Sequence, residues 1–178
     1  MKDHNMIKSI VITGAESTGK TTLAGQLALH YKTVWIPEYA RDYVEKLGRK
    51  YNYNDVVHIA RKQISQAKLF EAGANRFIFF DTWLIITKIW FLEVFGTCPP
   101  FVDDEIRNYK IDLFLVCDND LQWIPDPVRE NNDKREYLSQ LYKNEINNYN
   151  YPYELIKGKG INRFNNAVLV IEKLFAFK

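Results

Sequence analysis

The sequence predicts an α/β fold, a five-stranded parallel sheet sandwiched by helices. Three observations point there. Short β-branched and aromatic runs alternate along the 178 residues with apolar residues at helical spacing, the pattern of a parallel sheet covered by helices. The run Phe77-Ile78-Phe79-Phe80 is apolar without alternation, as a strand buried on both faces requires. A hydrophobic content of 47% suits one domain over residues 1–178, and no repeat, low-complexity tract or Pro/Gly/Ser linker divides it.

Residues 7–13 are a β-branched run ending at Gly14 and read as a buried first strand. Leu23, Leu27 and Tyr31 follow at helical spacing, so a helix starts near Lys20. Residues 33–36 make a second strand, halted by Pro37. A helical stripe then runs through Val57, Ala60, Ile64, Ala67 and Phe70. Residues 76–80 are the third strand, with a helix after Asp81 that breaks at 96–100. Residues 112–117 are the fourth strand, and 119–135, polar and holding Pro125 and Pro127, read as a loop. Leu138, Tyr142, Ile146 and Tyr149 mark another helix, residues 153–157 a fifth strand, and Phe164, Val168, Ile171 and Leu174 a closing helix.

Composition narrows the partners. Charged residues are 26% of the chain with a formal net charge of +2, which offers no basic face for nucleic acid. The densest basic cluster, Lys157-Gly158-Lys159 with Arg163, is too short for a patch and reads first as a solvated loop. Cys98 and Cys117 form no C-x-x-C pair, so a reduced, cytoplasmic compartment is expected rather than a disulfide framework. Residues 1–5 carry no apolar h-region of a signal peptide. The longest apolar stretch, 77–92, contains Asp81 and Lys88 and falls short of the roughly 20 uncharged residues of a membrane span.

In such sheets ligands sit at the carboxyl ends of the strands, so chemistry is sought just after each one. After the first strand Gly14, Gly19, Lys20 and Thr21 fill the pattern G-x-x-x-x-G-K-[ST]. Its glycines let backbone N–H groups wrap a phosphate, and the helix beyond them turns its positive end toward the anion. In this pattern Lys20 is placed to reach the β- and γ-phosphates of ATP and the Thr21 hydroxyl to ligate magnesium. Chance alone would place the four residues in a chain this long on the order of once in a hundred, and the required strand and helix flank them here. A P-loop NTPase fold is therefore expected.

After the second strand, Glu38 is placed to take the proton of an attacking hydroxyl, and Arg41 to hold a substrate or phosphate oxygen. The spacing equally fits a helix carboxylate paired with its i+3 arginine. After the third strand, Asp81 suits the magnesium or a substrate hydroxyl, and also suits an N-cap. Trp83 can stack on a flat ring, although packing is the commoner role for an isolated Trp. After the fourth strand, Arg129 and Arg135, with Asp126 to orient one of them, suit a lid that neutralises charge on the transferred phosphate, and also suit an ordinary surface loop with arginines on a helix edge. After the fifth, Gly158, Lys159, Gly160 and Arg163 suit backbone contacts along the adenine.

The segments Gly14-Ala15-Glu16-Ser17-Thr18-Gly19-Lys20-Thr21-Thr22-Leu23, Glu38-Tyr39-Ala40-Arg41-Asp42-Tyr43-Val44, Asp81-Thr82, Asp112-Leu113 and Trp123…Asp126…Arg129…Arg135 occur together and in order. In this the chain resembles the ribosylnicotinamide (nicotinamide riboside) kinase domain of NadR-type NAD-biosynthesis proteins. The resemblance implies a nucleoside-kinase-like P-loop fold with ATP and Mg2+, transferring the γ-phosphate to the 5′-hydroxyl of nicotinamide riboside. It implies ATP contacts for Gly14, Ala15, Glu16, Ser17, Thr18, Gly19, Lys20, Thr21 and Thr22. Glu38, Tyr39, Arg41 and Trp83 would lie toward the acceptor, Asp81 by the magnesium or ribose, and Arg129 and Arg135 in the lid. Longer members carry an adenylyltransferase domain, and some a DNA-binding one, ahead of the kinase. Two alternatives share these motifs: a kinase for another nucleoside, nucleotide or metabolite, and a nucleotide-dependent regulatory ATPase module.

Overall fold

A computed structural model describes residues 7–125 and 132–175. The strands are β1 (Lys8–Thr13), β2 (Trp35–Ile36), β3 (Phe77–Asp81), β4 (Leu113–Cys117) and β5 (Tyr153–Ile156). The helices are α1 (Lys20–His30), α2 (Tyr39–Lys46), α3 (Tyr53–Glu71), α4 (Leu84–Phe95), α5 (Pro100–Asn108), α6 (Arg135–Asn148) and α7 (Ile161–Phe175). The strands form one sheet in the order β2-β3-β1-β4-β5, every neighbouring pair parallel. The α/β P-loop architecture read from the sequence is what the chain adopts.

The pleat sorts the core into two layers. Ile10, Ile12, Phe77, Phe79, Leu113 and Leu115 face Leu23, Ala24 and Leu27 of α1 and Ala167 and Ile171 of α7. The intervening Val11, Ile78, Phe80, Phe114 and Val116 face the helices on the other side, α3 to α6. Period-2 alternation therefore exists within each central strand, but both faces are apolar and the sequence shows only a continuous run.

Two departures from the sequence reading have local causes. Helix α5 begins at Pro100, where the Pro-Pro pair reads as a break. Proline is tolerated in a first helical turn because no intrahelical N–H bond is lost there. Strand β2 keeps only Trp35–Ile36 of the expected 33–36, since Val34 contributes just its carbonyl, to Phe79 N at 3.4 Å. Helix α3 is closed at its start by a capping box between Asn52 and Asp55. Among the described residues no helix is long and apolar enough to cross a membrane.

Strand order places the ligand crevice. The chain leaves β1 for β2 and β3 on one side and later returns to β4 and β5 on the other. β1 thus ends at the topological switch point, where α/β sheets open a crevice for ligands.

Candidate active site

The loop from Gly14 to Gly19 fills that crevice. Gly14 has φ 138°, and a Cβ there would sit 2.7 Å from the Cys117 carbonyl oxygen at the end of β4. Only glycine fits where the two strand ends approach so closely. Ser17 (φ 56°) and Gly19 (φ 76°) take the left-handed conformation that turns successive amides inward. The Ala15 carbonyl accepts from Thr18 Oγ1 at 2.8 Å and from Lys20 Nζ at 2.9 Å. The ammonium therefore rests on the rim of the loop, within reach of a phosphate that would replace a neutral carbonyl with a charged partner.

Thr21, in the first turn of α1, donates its hydroxyl to Asp81 Oδ2 at 2.5 Å. Asp81 is 2% exposed, and its Oδ1 is buried without a partner among the described residues. Burial pushes the Asp81 carboxyl up, against the Thr21 hydrogen bond and the Lys20 charge, which pull it down. A buried carboxylate oxygen lacking a partner is costly unless a ligand completes it. Mg2+ fits the donors present: a hydroxyl and a carboxylate, both hard oxygens, with the remaining positions left to phosphates and water. Among the described residues no group of three or more His, Cys, Asp or Glu gathers to hold a metal unaided.

Glu38 occupies the N-cap position of α2, and its side chain makes no cap hydrogen bond. Arg41 pairs with Glu45 one turn on, its Nε 2.9 Å from Oε1. Glu38 keeps part of its surface open, yet protein packs densely around the carboxyl. Desolvation raises its pKa; Lys20 opposes that, Asp81 adds to it, Arg41 opposes and Glu16 adds. The groups that bias Glu38 thus come from the P-loop, α1, α2 and the end of β3, so one site gathers them all. A carboxyl raised toward neutrality is what a general base needs.

Tyr39 starts α2, its hydroxyl 3.0 Å from His58 Nε2, and Thr22 is exposed on α1. Trp83 takes the commoner of its two expected roles. It is 2% exposed, packed edge-on against Phe80 at 5.2 Å and beside Tyr109 at 5.1 Å, so its ring is wall rather than an open stacking surface. The segment after β4 folds over the P-loop: the Ser17 hydroxyl donates to Ile124 O at 3.4 Å and lies 3.2 Å from Ile124 N. Arg135 opens α6 and donates from Nη1 to Leu121 O at 3.1 Å, while its Nε and Nη2 are buried without partners among the described residues. Asp126 and Arg129 lie outside the described residues.

Sequence reasoning misjudged Arg163. Assigned to a solvated loop, it is 4% exposed and bonds to backbone or side-chain oxygens of Thr18, Asp118, Asp120 and Gly158. A basic residue just after G-x-G at a helix start was the available signal. Tyr142 of α6, 7% exposed, is another wall residue; burial raises its phenol, and the Glu16 and Glu38 carboxylates raise it further.

The chain is similar to known proteins in sequence and in fold. The family described as AAA domain matches residues 9–163. The trifunctional NAD biosynthesis/regulator protein NadR of Escherichia coli is 31% identical over 142 residues, 76% of this chain and 35% of that protein. Its Salmonella typhimurium counterpart is 32% identical over 127 residues, 69% of this chain and 31% of that protein. The chain therefore spans about a third of the length of these curated relatives. A crystal structure of a NadR protein in complex with NR superposes with a TM-score of 0.85 at 23% identity, covering 97% of this chain and 52% of the other. A deoxyadenosine kinase from M. mycoides superposes with a TM-score of 0.63 at 15% identity, covering 93% and 98%.

Proposed function

The chain belongs to the AAA-domain family, and we propose that it is an ATP-dependent kinase that phosphorylates the 5′-hydroxyl of nicotinamide riboside. One observation carries the reading: Glu38, a carboxyl raised by burial, shares a site with Lys20 of the P-loop and with Asp81. A switch ATPase positions water. In the kinase reading Glu38 serves as a base facing the phosphate-binding loop, an arrangement suited to an acceptor hydroxyl. The similarity to NadR proteins, among whose structures are complexes with NR and with NAD and AMP-PNP, supports the choice of acceptor.

The amides from Gly14 to Gly19 would hold the β- and γ-phosphates, with Lys20 leaving Ala15 O to meet them. Thr21 and Asp81 are the residues for Mg2+, which when bound draws charge from the phosphate oxygens. Glu38 accepts the proton of the 5′-hydroxyl as its oxygen bonds to the γ-phosphorus. The bond from that phosphorus to the β–γ bridging oxygen breaks, and ADP departs. Tyr39 and Arg41 at the start of α2 belong to the acceptor side, and Arg135, together with Arg129, to the lid. Residues 1–178 act as one kinase domain in this reading.

The test is transfer from Mg·ATP to a panel containing nicotinamide riboside, deoxyadenosine, thymidylate and water. Preferred turnover of nicotinamide riboside is expected. Preference for a deoxynucleoside or nucleotide would move the acceptor, and hydrolysis untouched by any acceptor would sink the kinase reading.

A further inference from the structure

We propose that Arg163 is a positioning residue for the donor nucleotide, acting through the peptide that joins Thr18 to Gly19. It lies in the first turn of α7, where the positive end of a helix disfavours a cation. It is also 4% exposed, so the charge must be compensated by partners. Its fork reaches three strand-end loops at once. Nη1 donates to the Thr18 carbonyl of the P-loop. Nη2 donates to Asp118 O at 3.2 Å and to Asp120 Oδ1, after β4. Nε donates to Gly158 O at 2.7 Å, after β5.

The third loop is shaped for this. The other Asp120 oxygen, Oδ2, accepts the Gly158 N–H at 2.6 Å, which closes a ring of bonds around the guanidinium. Gly158 has φ 101°, and a Cβ there would sit 3.2 Å from Arg163 N, so a side chain would crowd the ring open.

Peptide geometry links this ring to the phosphate nest. In a trans peptide the C=O of one residue and the N–H of the next point in opposite directions. Arg163 draws the Thr18 carbonyl toward itself and so turns the Gly19 N–H away, into the nest that takes phosphate. A residue 145 positions along the chain thereby sets the aim of one phosphate-binding amide. This rests on the nucleotide half of the proposed reaction and is independent of the acceptor.

The experiment measures binding of Mg·ATP and of inorganic pyrophosphate by calorimetry, on wild type, Arg163→Met, Arg163→Lys and Asp120→Asn. All are held well below their melting midpoints. Arg163→Met is expected to weaken both ligands in parallel by about 10–100-fold, by analogy with partners that orient metal ligands. The acceptor KM should not move. Arg163→Lys keeps the charge without the fork and should recover only part of the loss. Should Arg163→Met not fold, Asp120→Asn must show the same parallel weakening, in smaller degree. Lower melting temperature with unchanged affinities would make Arg163 merely structural and overturn the proposal. Weaker ATP with unchanged pyrophosphate would place its effect at the base and overturn it equally. A wild type that takes up no Mg·ATP would instead sink the kinase reading.

Discussion

Replacing Gly14 by alanine tests whether close approach of two strand ends forces the shape of the P-loop. The added Cβ would meet Cys117 O at 2.7 Å, Thr18 Oγ1 at 3.1 Å and Cys117 Cβ at 3.3 Å. The first of these is backbone, held in a strand paired on both sides, and cannot step back. Two costs add. A side chain at φ 138° costs about 1–3 kcal/mol, and overpacking about 1–3 kcal/mol. Their sum, about 2–6 kcal/mol, lowers the melting temperature by about 4–24 °C in a chain of this size.

Gly96→Ala isolates the first cost. Gly96 has φ 70° at the end of α4, with nothing within 4 Å of a Cβ, so it should lose about 1–2 kcal/mol and no more. Thermal melts with and without Mg·ATP read both effects. Gly14→Ala should melt well below Gly96→Ala and lose its stabilisation by nucleotide. Equal melting of the two variants, or wild-type ATP affinity in Gly14→Ala, would refute the steric reasoning.

Three further outcomes are expected. Glu38→Gln should cut turnover about 10²–10⁴-fold while Mg·ATP affinity holds. Because burial raises the Glu38 carboxyl in the folded state, its contribution to stability is fully present below the unfolded pKa and lost as pH rises through the folded one. The glutamine variant should therefore melt above wild type at neutral pH and lose that advantage in acid; a lower melting point at neutral pH would contradict the desolvated carboxyl. Asp81→Asn, which retains an oxygen for Thr21 but no charge, should weaken the Mg2+ dependence of ATP binding and slow turnover about 100-fold. An unchanged Mg2+ titration would remove Asp81 from the metal. Trp83→Phe should cost about 1–3 kcal/mol of stability through lost packing with the acceptor KM unmoved. A raised KM at unchanged melting temperature would return Trp83 to the acceptor pocket.

Neighbouring residues alone encode much of this fold. The glycines of the P-loop, the apolar run at 77–80 and the stripes of α1 and α3 are local dihedral and periodic signals, and each was legible at its place. The rule that ligands gather at strand ends carried Lys20, Thr21, Glu38 and Asp81 to one crevice before any contact was known.

The pairings, by contrast, come from contacts between distant segments. Thr21 meets Asp81 across 60 residues because the strand order sets β3 directly beside β1. Arg163 reads as part of a loose basic cluster, and only the return of α7 against β1, β4 and β5 buries it beneath the P-loop. Trp83 stands at a strand end like its neighbours, but packing against Phe80 and Tyr109 turns it into wall. Backbone preferences act over a few residues, whereas burial of a side chain depends on which distant elements share its face of the sheet.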